Sequence, residues 1–299
     1  MLGFPVTFGH GSFTFNEHLD AAGAVDTTKV HNTVVLDRAR WIPNYRDLRD
    51  PYHLAQGGAL GRVHKGVLAL VAEGRIEVPN ATQLASMSDK VRAMRAAFDP
   101  YQAYLDSTVT DGAYPLDYTE RTTDTATYPT GRILLMRYMR PNLQPTFEER
   151  LTDRTQQPWS VVLIAADPRE YEQTEQTLAL TIGSPSGNVV NRGTTPAPVK
   201  VTIVMSGAGA SNFTITRGGV AFILDLSTMI ASDSVVVVME TSAPYGAGRR
   251  ITKNGTDAFS LKTSAVNTWL DGPVGTTDFT ITNTTGITSC TLAWHSARA

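Results

Sequence analysis

Val199-Lys200-Val201-Thr202-Ile203-Val204-Met205 places an apolar side chain at every second position, with Lys200 and Thr202 between them. Successive side chains of a strand point to opposite faces, so the segment reads as a strand with one apolar and one largely wet face. Phe213 with Ile215, Phe279 with Ile281, and Cys290 with Leu292 and Trp294 repeat the alternation. Val220 to Leu226 and Val235 to Met239 are continuous apolar runs, suited to strands buried on both faces. Glycine-rich breaks at 207–209, 218–219, 246–248 and 272–275 punctuate these segments. Many short strands at similar spacing, with no helical period among them, predict a β-sandwich of jelly-roll-like kind.

Upstream, Gly183-Ser184-Pro185-Ser186-Gly187-Asn188 is a cluster of chain breakers and reads as a linker or tight crossover. Composition changes there too: residues 1–184 carry 40 of the charged side chains and residues 185–299 only 14. The reading is therefore two domains, 1–185 and 186–299. In the first, Leu84, Met87, Val91, Met94 and Phe98 recur at steps of three and four, which predicts a helix over about 81–98. Asn80 and Gln83 form a capping-box pattern before it, and Asp99-Pro100 ends it. Strands are expected at Val34–Ile42, at Val67–Val78 with a break at Gly74, at Arg132–Arg140, at Trp159–Ala166 and at Thr177–Ile182. Short strands around one amphipathic helix suggest a small barrel or curled sheet capped by that helix. Thr119–Thr130, dense in Thr, Asp and Arg, reads as an exposed hairpin tip or arm.

The chain has 299 residues, a formal charge of −2 and one cysteine. That balance argues against a sequence-general nucleic-acid binder, which carries a basic surplus to neutralise phosphates. No window approaches the ~18 consecutive apolar residues of a membrane-spanning helix. Cys290 alone makes neither an intramolecular disulfide nor a multi-thiolate zinc site. The opening MLGFPVTFGHGSF lacks a basic region followed by an apolar stretch, so the expectation is a soluble protein made in a reducing compartment. The Asn-x-Ser/Thr triplets at Asn80, Asn212, Asn254 and Asn283 are set aside accordingly.

No constellation demands catalysis, a metal or a cofactor. His10, His18, His31, His53, His64 and His295 show no ligand spacing. Glu148-Glu149, and Asp167 with Glu170, are neighbouring carboxylates, but spacing alone does not make them a glycosidase pair. Gly207-Ala208-Gly209-Ala210-Ser211-Asn212 echoes a dinucleotide loop, yet the alternating Phe213-Thr214-Ile215-Thr216 follows where a helix is required. Gly183-Ser184-Pro185-Ser186-Gly187 carries Pro185 where a nucleophile elbow needs serine. Arg132, Arg137 and Arg140 with Tyr138 fit a nucleic-acid grip or a mixed strand at a subunit contact; in strand register Arg137 lies on the opposite face from Arg132 and Tyr138. A structural or binding role is the expectation.

Four features, in order, resemble the distal tail proteins of long-tailed bacteriophages and the wider phage minor tail protein family. They are the strand-turn-helix unit from Gly74 to Leu84, and Trp159–Ala166 ending in Asp167-Pro168-Arg169. Asn191-Arg192-Gly193 follows, with Pro196 leading into the strand that ends at Gly207, and then the final strand Leu292-Ala293-Trp294. Two places depart from the family: Met239-Glu240-Thr241 stands where it often has Ile-Asp, and Leu270-Asp271-Gly272-Pro273-Val274-Gly275 only loosely echoes its Leu-x-Pro-Gly-x-Asn. Gly3 to Asp50 has no residue-by-residue match.

The resemblance implies a homo-oligomeric ring, usually hexameric, at the end of the tail tube, built in the host cytoplasm and carried in the virion. Its partners would be the tail tube, tape measure and tail hub or baseplate proteins, with DNA only in transit and no membrane insertion. The first domain would form the ring, and the second, a galectin-like sandwich, would hold other tail parts or host glycans. Residues 1–184 hold 18 basic and 22 acidic side chains, which suits a channel that must pass DNA without retaining it. Edge strands in the first domain would allow pairing between copies around a rotation axis, and the Thr119–Thr130 arm is a candidate for reaching a neighbour. The alternative is a carbohydrate-binding module or adhesin-like protein, because sugars stack on exposed aromatics. Trp294 reads as core, whereas Trp269, ahead of a Gly-Pro loop, stays open between core and platform. A glycosidase on a sandwich scaffold is the third class, without a motif to support it.

Overall fold

The computed structural model describes residues 6–8, 13–20, 22–25, 33–46, 64–78, 84–101, 113–148, 155–165, 167–181, 183–240, 242, 244–245, 249–265 and 268–299. The expected capping residues Asn80 and Gln83, the strand ends Ala166 and Ile182, Glu149, the 246–248 break, and His10, His31 and His53 lie outside these residues. The chain divides into two compact units, Met1–Pro168 and Arg169–Ala299.

Unit 1 contains β1 (Val6–Phe8), β2 (Phe13–Phe15), β3 (Thr33–Arg46), β4 (His64–Glu77), α1 (Leu84–Ala97), β5 (Tyr114–Arg121), β6 (Arg132–Pro141), β7 (Thr146–Phe147) and β8 (Gln156–Ala165). The strands pair in the order β2-β1-β5-β6-β8-β4-β3, with β7 also on β8, and every pairing is antiparallel. The two ends of that path meet at Asn16. Its N–H donates to the Val34 carbonyl at 2.8 Å, and its side-chain Oδ1 accepts from the Leu36 N–H at 2.9 Å. Asn16 is buried and has φ 57°, a left-handed conformation that asparagine tolerates better than most residues.

Alternation explains the interior of unit 1. Trp159, Val161, Leu163 and Ala165 of β8, and Tyr114, Leu116 and Tyr118 of β5, all turn inward. On α1 the expected face is buried at Met87 and Met94 and continues to Phe98, whose N–H bonds to the Met94 carbonyl at 3.0 Å. Phe98 stacks on Phe8 at 4.7 Å between ring centroids, and Phe15 on Trp159 at 5.1 Å. Each such buried ring contributes about 1.5–3 kcal/mol over an exposed one.

Two expectations for unit 1 need correction, the break at Gly74 and the point where the exposed tip begins. Gly74 does not break β4, which runs on through it. A Cβ at that position would meet the Val35 carbonyl oxygen and the Trp159 indole, so glycine is there to let the indole lie against the backbone. Tyr114–Arg121 was not expected as a strand, yet it forms β5 and includes Thr119 to Arg121 of the proposed arm, with Thr119 buried. The remaining tip is tied to itself: Asp124 accepts the Thr127 N–H at 3.1 Å, and the Thr122 N–H reaches the Gly131 carbonyl at 3.0 Å.

Unit 2 contains β9 (Glu170–Glu172), β10 (Gln176–Leu180), β11 (Ser186–Asn191), β12 (Ala197–Met205), β13 (Phe213–Arg217), β14 (Val220–Leu224), β15 (Ser234–Val238), β16 (Arg250–Lys253), β17 (Thr256–Asp257), a 3-10 turn η1 (Phe259–Leu261), β18 (Asp271–Gly272), β19 (Gly275–Thr282), β20 (Ile287–Trp294) and β21 (Ala297–Arg298). It is a β-sandwich. One antiparallel sheet runs β10-β20-β12-β15-β16-β17 with β18 on β12; the other runs β11-β19-β13-β14. Val199, Val201, Ile203, Cys290 and Leu292 from one sheet, and Phe213, Ile215, Phe222 and Phe279 from the other, are fully buried. Trp294 joins them, its Nε1–H donating to the Val190 carbonyl at 3.0 Å and so linking the two sheets.

The units part at Pro168/Arg169, earlier than the composition change placed the boundary. β10 pairs with β20 and so belongs to the sandwich, while β9 pairs with β21, also within Arg169–Ala299 but outside the two sandwich sheets. The breaker cluster at 183–188 is the tight crossover of the two alternatives: it leads from β10 in one sandwich sheet to β11 in the other and begins with a turn in which Thr181 and Ser184 exchange backbone hydrogen bonds of 3.0 and 3.2 Å. The apolar runs are also less buried than expected. β14 pairs along its length with β13 and, at its end, bridges Leu224 to Lys262; Val220 at its start is exposed, and within β15 Val236 is only partly covered between buried Val235 and Val237.

Candidate functional site

The residues weighed for chemistry are dispersed. Of the histidines, His18 belongs to unit 1 and His295 to unit 2, where His295 is buried with Nδ1 2.8 Å from the Glu172 carbonyl oxygen. Among the described residues no three His, Cys, Asp or Glu side chains stand close enough to hold a metal ion. Cys290 is enclosed in the sandwich, and burial pushes its thiol up to about 12, so little reactive thiolate forms near neutral pH. The 207–212 loop is stitched down: Gly209 N–H donates to the Leu226 carbonyl and Leu226 N–H to the Ala210 carbonyl, both at 2.9 Å. On β6, Arg137 is buried on the core side while Arg140 on the other face is exposed.

Two motifs acquire physical reasons. Asn191 is buried; its amide donates to the Thr195 carbonyl at 2.8 Å and the Gly272 carbonyl at 2.9 Å, and its Oδ1 accepts from Gly193 N–H at 3.0 Å. At Gly193 any Cβ would strike the Ala297 backbone. Asn-x-Gly thus folds the approach to β12 against β18 and the last strand. In Asp167-Pro168-Arg169, the Arg169 guanidinium enters unit 2 and pairs with Glu240 at 3.0 Å, directly after the apolar run that ends at Met239. Glu240 supplies a carboxylate in the segment where this chain departs from the Ile-Asp pattern.

Arg169 and Glu240 open onto a cleft in unit 2 of about 240 Å³, lined also by Pro196, Arg249, Trp269 and Asp271. Trp269 is partly buried and organises it. Its ring lies 5.4 Å from Phe222 and 6.0 Å from Phe259 of η1, between centroids. The Arg249 guanidinium lies 5.5 Å from the indole centroid and Lys262 Nζ 5.4 Å from it. Lys262 Nζ donates to the Ser264 carbonyl at 2.9 Å and to the Ala265 carbonyl. Desolvation, then the neighbouring Arg249 charge, lowers the Lys262 pKa. Asp271 pairs with Arg217, whose guanidinium also donates to the Asp271 carbonyl at 3.3 Å. Trp269 is therefore neither fully core nor a bare platform: cations attend it, with aromatic rings beside it.

Sequence reading had singled out Trp269 and Arg169 separately but missed Arg249 and Lys262. A strand start and a 3-10 turn bring those two together, with no periodicity to reveal it. The whole arrangement can hold a small polar ligand, and it contains no nucleophile–base pair among the described residues.

Comparison with solved structures gives the fold a precedent. The chain aligns with the crystal structure of the SPP1 Dit (gp 19.1) protein, described as a paradigm of the hub adsorption apparatus in phages infecting Gram-positive bacteria. That alignment has a TM-score of 0.55 at 13% identity and covers 98% of each chain. Two structures of the phage P2 baseplate in its activated conformation align at 6% identity: the one with Ca over 89% of this chain and 90% of that one at TM-score 0.41, and the one with Sr over 97% of each at 0.43. No protein-family model matches the chain, and no curated protein matches it.

Proposed function

We propose that this chain is a structural, non-enzymatic component of a bacteriophage tail tip. It is a distal tail protein that assembles into a ring, hexameric by the family resemblance, joining the tail tube to the host-recognition apparatus around the DNA exit channel. The observation that carries the reading is the fold shared with SPP1 Dit across 98% of both chains. The order of motifs from Gly74 to Trp294 supports it independently, and the buried packing of Gly74, Asn191 and Gly193 gives those motifs structural work within the shared fold. An open edge is available for assembly: beyond Leu36, the 14-residue β3 pairs only with β4 among the described residues. The test is the solution mass of the purified full chain, alone and with its tail-tube partner. A closed multiple of 32.4 kDa is expected, and a strict monomer under both conditions contradicts the reading.

A second reading has its own observation. A part-buried Trp269 beside the Arg169–Glu240 pair in a concave cleft suits a saccharide on a host surface, since paired charges hydrogen-bond hydroxyl groups and an indole edge offers apolar contact. A glycan array with the full chain tests it: no retained sugar removes this reading and leaves the assembly proposal untouched.

A further inference from the structure

We infer that the Trp269 cleft takes an acidic saccharide, its carboxylate or phosphate gripped by Arg249. This rests on the glycan reading above and names the ligand class it requires. The first argument is charge. The cleft lining holds Arg169 and Arg249 against Glu240 and Asp271; beside it, Arg217 pairs with Asp271 and Lys262 stands over the Trp269 ring. Glu240 is engaged by Arg169 and Asp271 by Arg217, so neither is assigned to the remaining cations. Among the described residues no carboxylate pairs with Arg249, whose side chain is exposed. The whole chain is mildly acidic, with a formal charge of −2, so two cations at the Trp269 ring without a carboxylate partner among the described residues run against its composition.

The second argument is preorganisation. A free arginine spends conformational entropy when it closes on an anion. Here the guanidinium already lies 5.5 Å from the indole centroid of Trp269, whose ring packs against the tilted rings of Phe222 and Phe259. An arginine seated on an aromatic ring keeps the edge of its planar fork open, the geometry that binds carboxylate or phosphate in bidentate fashion. Lys262 is held by two carbonyls close to the same ring, and it adds a fixed positive charge rather than a mobile one. The cleft volume of about 240 Å³ fits one sugar-sized unit, with longer polymer running out into solvent.

The full chain is titrated calorimetrically at low salt with three probes of equal length: oligogalacturonate, a phosphorylated galacto-oligosaccharide, and a neutral galacto-oligosaccharide. The first two separate carboxylate from phosphate as the recognised anion. Binding of at least one acidic probe about tenfold tighter than the neutral one is expected, weakening as salt is raised. Arg249→Gln should lose that preference with an unchanged melting curve. Arg249→Lys, which keeps the charge but not the fork, should fall between. Arg92→Gln removes an equal charge from α1 in unit 1 and should bind as the parent does. Equal binding of neutral and acidic probes overturns this inference while leaving the glycan reading in place. Acidic binding that survives Arg249→Gln also overturns it. Binding of none of the three overturns both.

Discussion

Asn191 satisfies four backbone groups from three separate segments: the carbonyls of Thr195 and Gly272, and the N–H groups of Gly193 and Ala297, the last at 3.3 Å. Alanine there would strand buried donors and acceptors without access for water. The expected cost of Asn191→Ala is roughly 2–4 kcal/mol, read as a lower urea midpoint. Asp233 is the second such residue. Its buried carboxylate takes Lys253 Nζ at 2.8 Å, Ile230 N–H at 2.9 Å and Asn254 Nδ2 at 2.8 Å, and these, led by Lys253, pull its pKa from 3.8 down to about 2. A carboxylate whose folded pKa is depressed adds stability above its unfolded value and loses it as pH falls through the folded one. The melting temperature should therefore decline between about pH 4 and pH 2, and Asp233→Asn should be less stable at neutral pH with a flatter decline. Asn191 was legible as part of an Asn-x-Gly-then-Pro pattern, although its four partners were not: they come from positions up to 106 residues away. Trp269 was flagged by residue type, while Arg249 and Lys262 carried no signal at all.

At the level of elements, the helix face and the alternating strands were readable because burial imposes a period on the sequence. β5 was not expected although Tyr114, Leu116 and Tyr118 alternate, with Pro115, a residue uncommon inside strands, between the first two. The structure accommodates Pro115 because β5 pairs with β1 only at Leu116 and Asp117. Gly74 was misread in the opposite sense, as punctuation where it is a packing requirement. What no pattern discloses is the clasp. Asn16 holds the β2 end of the sheet to β3 through one backbone and one side-chain hydrogen bond, both in buried surroundings. Asn16→Ala should cost about 1–3 kcal/mol by denaturant unfolding, from the unsatisfied Leu36 N–H and the left-handed backbone that alanine resists. Asn16→Gly would relieve the backbone but still lose the Leu36 bond, and an intermediate loss is expected.

For the molecule as a whole, the sequence disclosed two strand-rich parts but set their boundary late. Glu170, Glu172, Gln173, Glu175 and Gln176 keep the composition polar just after Arg169, and yet they lie in the second compact unit, where β10 pairs with β20. Composition alone does not mark a unit, whose extent follows strand pairing, and the two changed at different places. The proposed function belongs to this scale as well, since a collar is a property of copies and no single side chain encodes it. Its most direct test is electron microscopy of the purified full-length protein, classified without imposed symmetry. Annular particles with rotational symmetry and an open centre are the predicted result; a uniform field of single monomer-sized particles at every concentration, with and without the tail-tube protein, would contradict it.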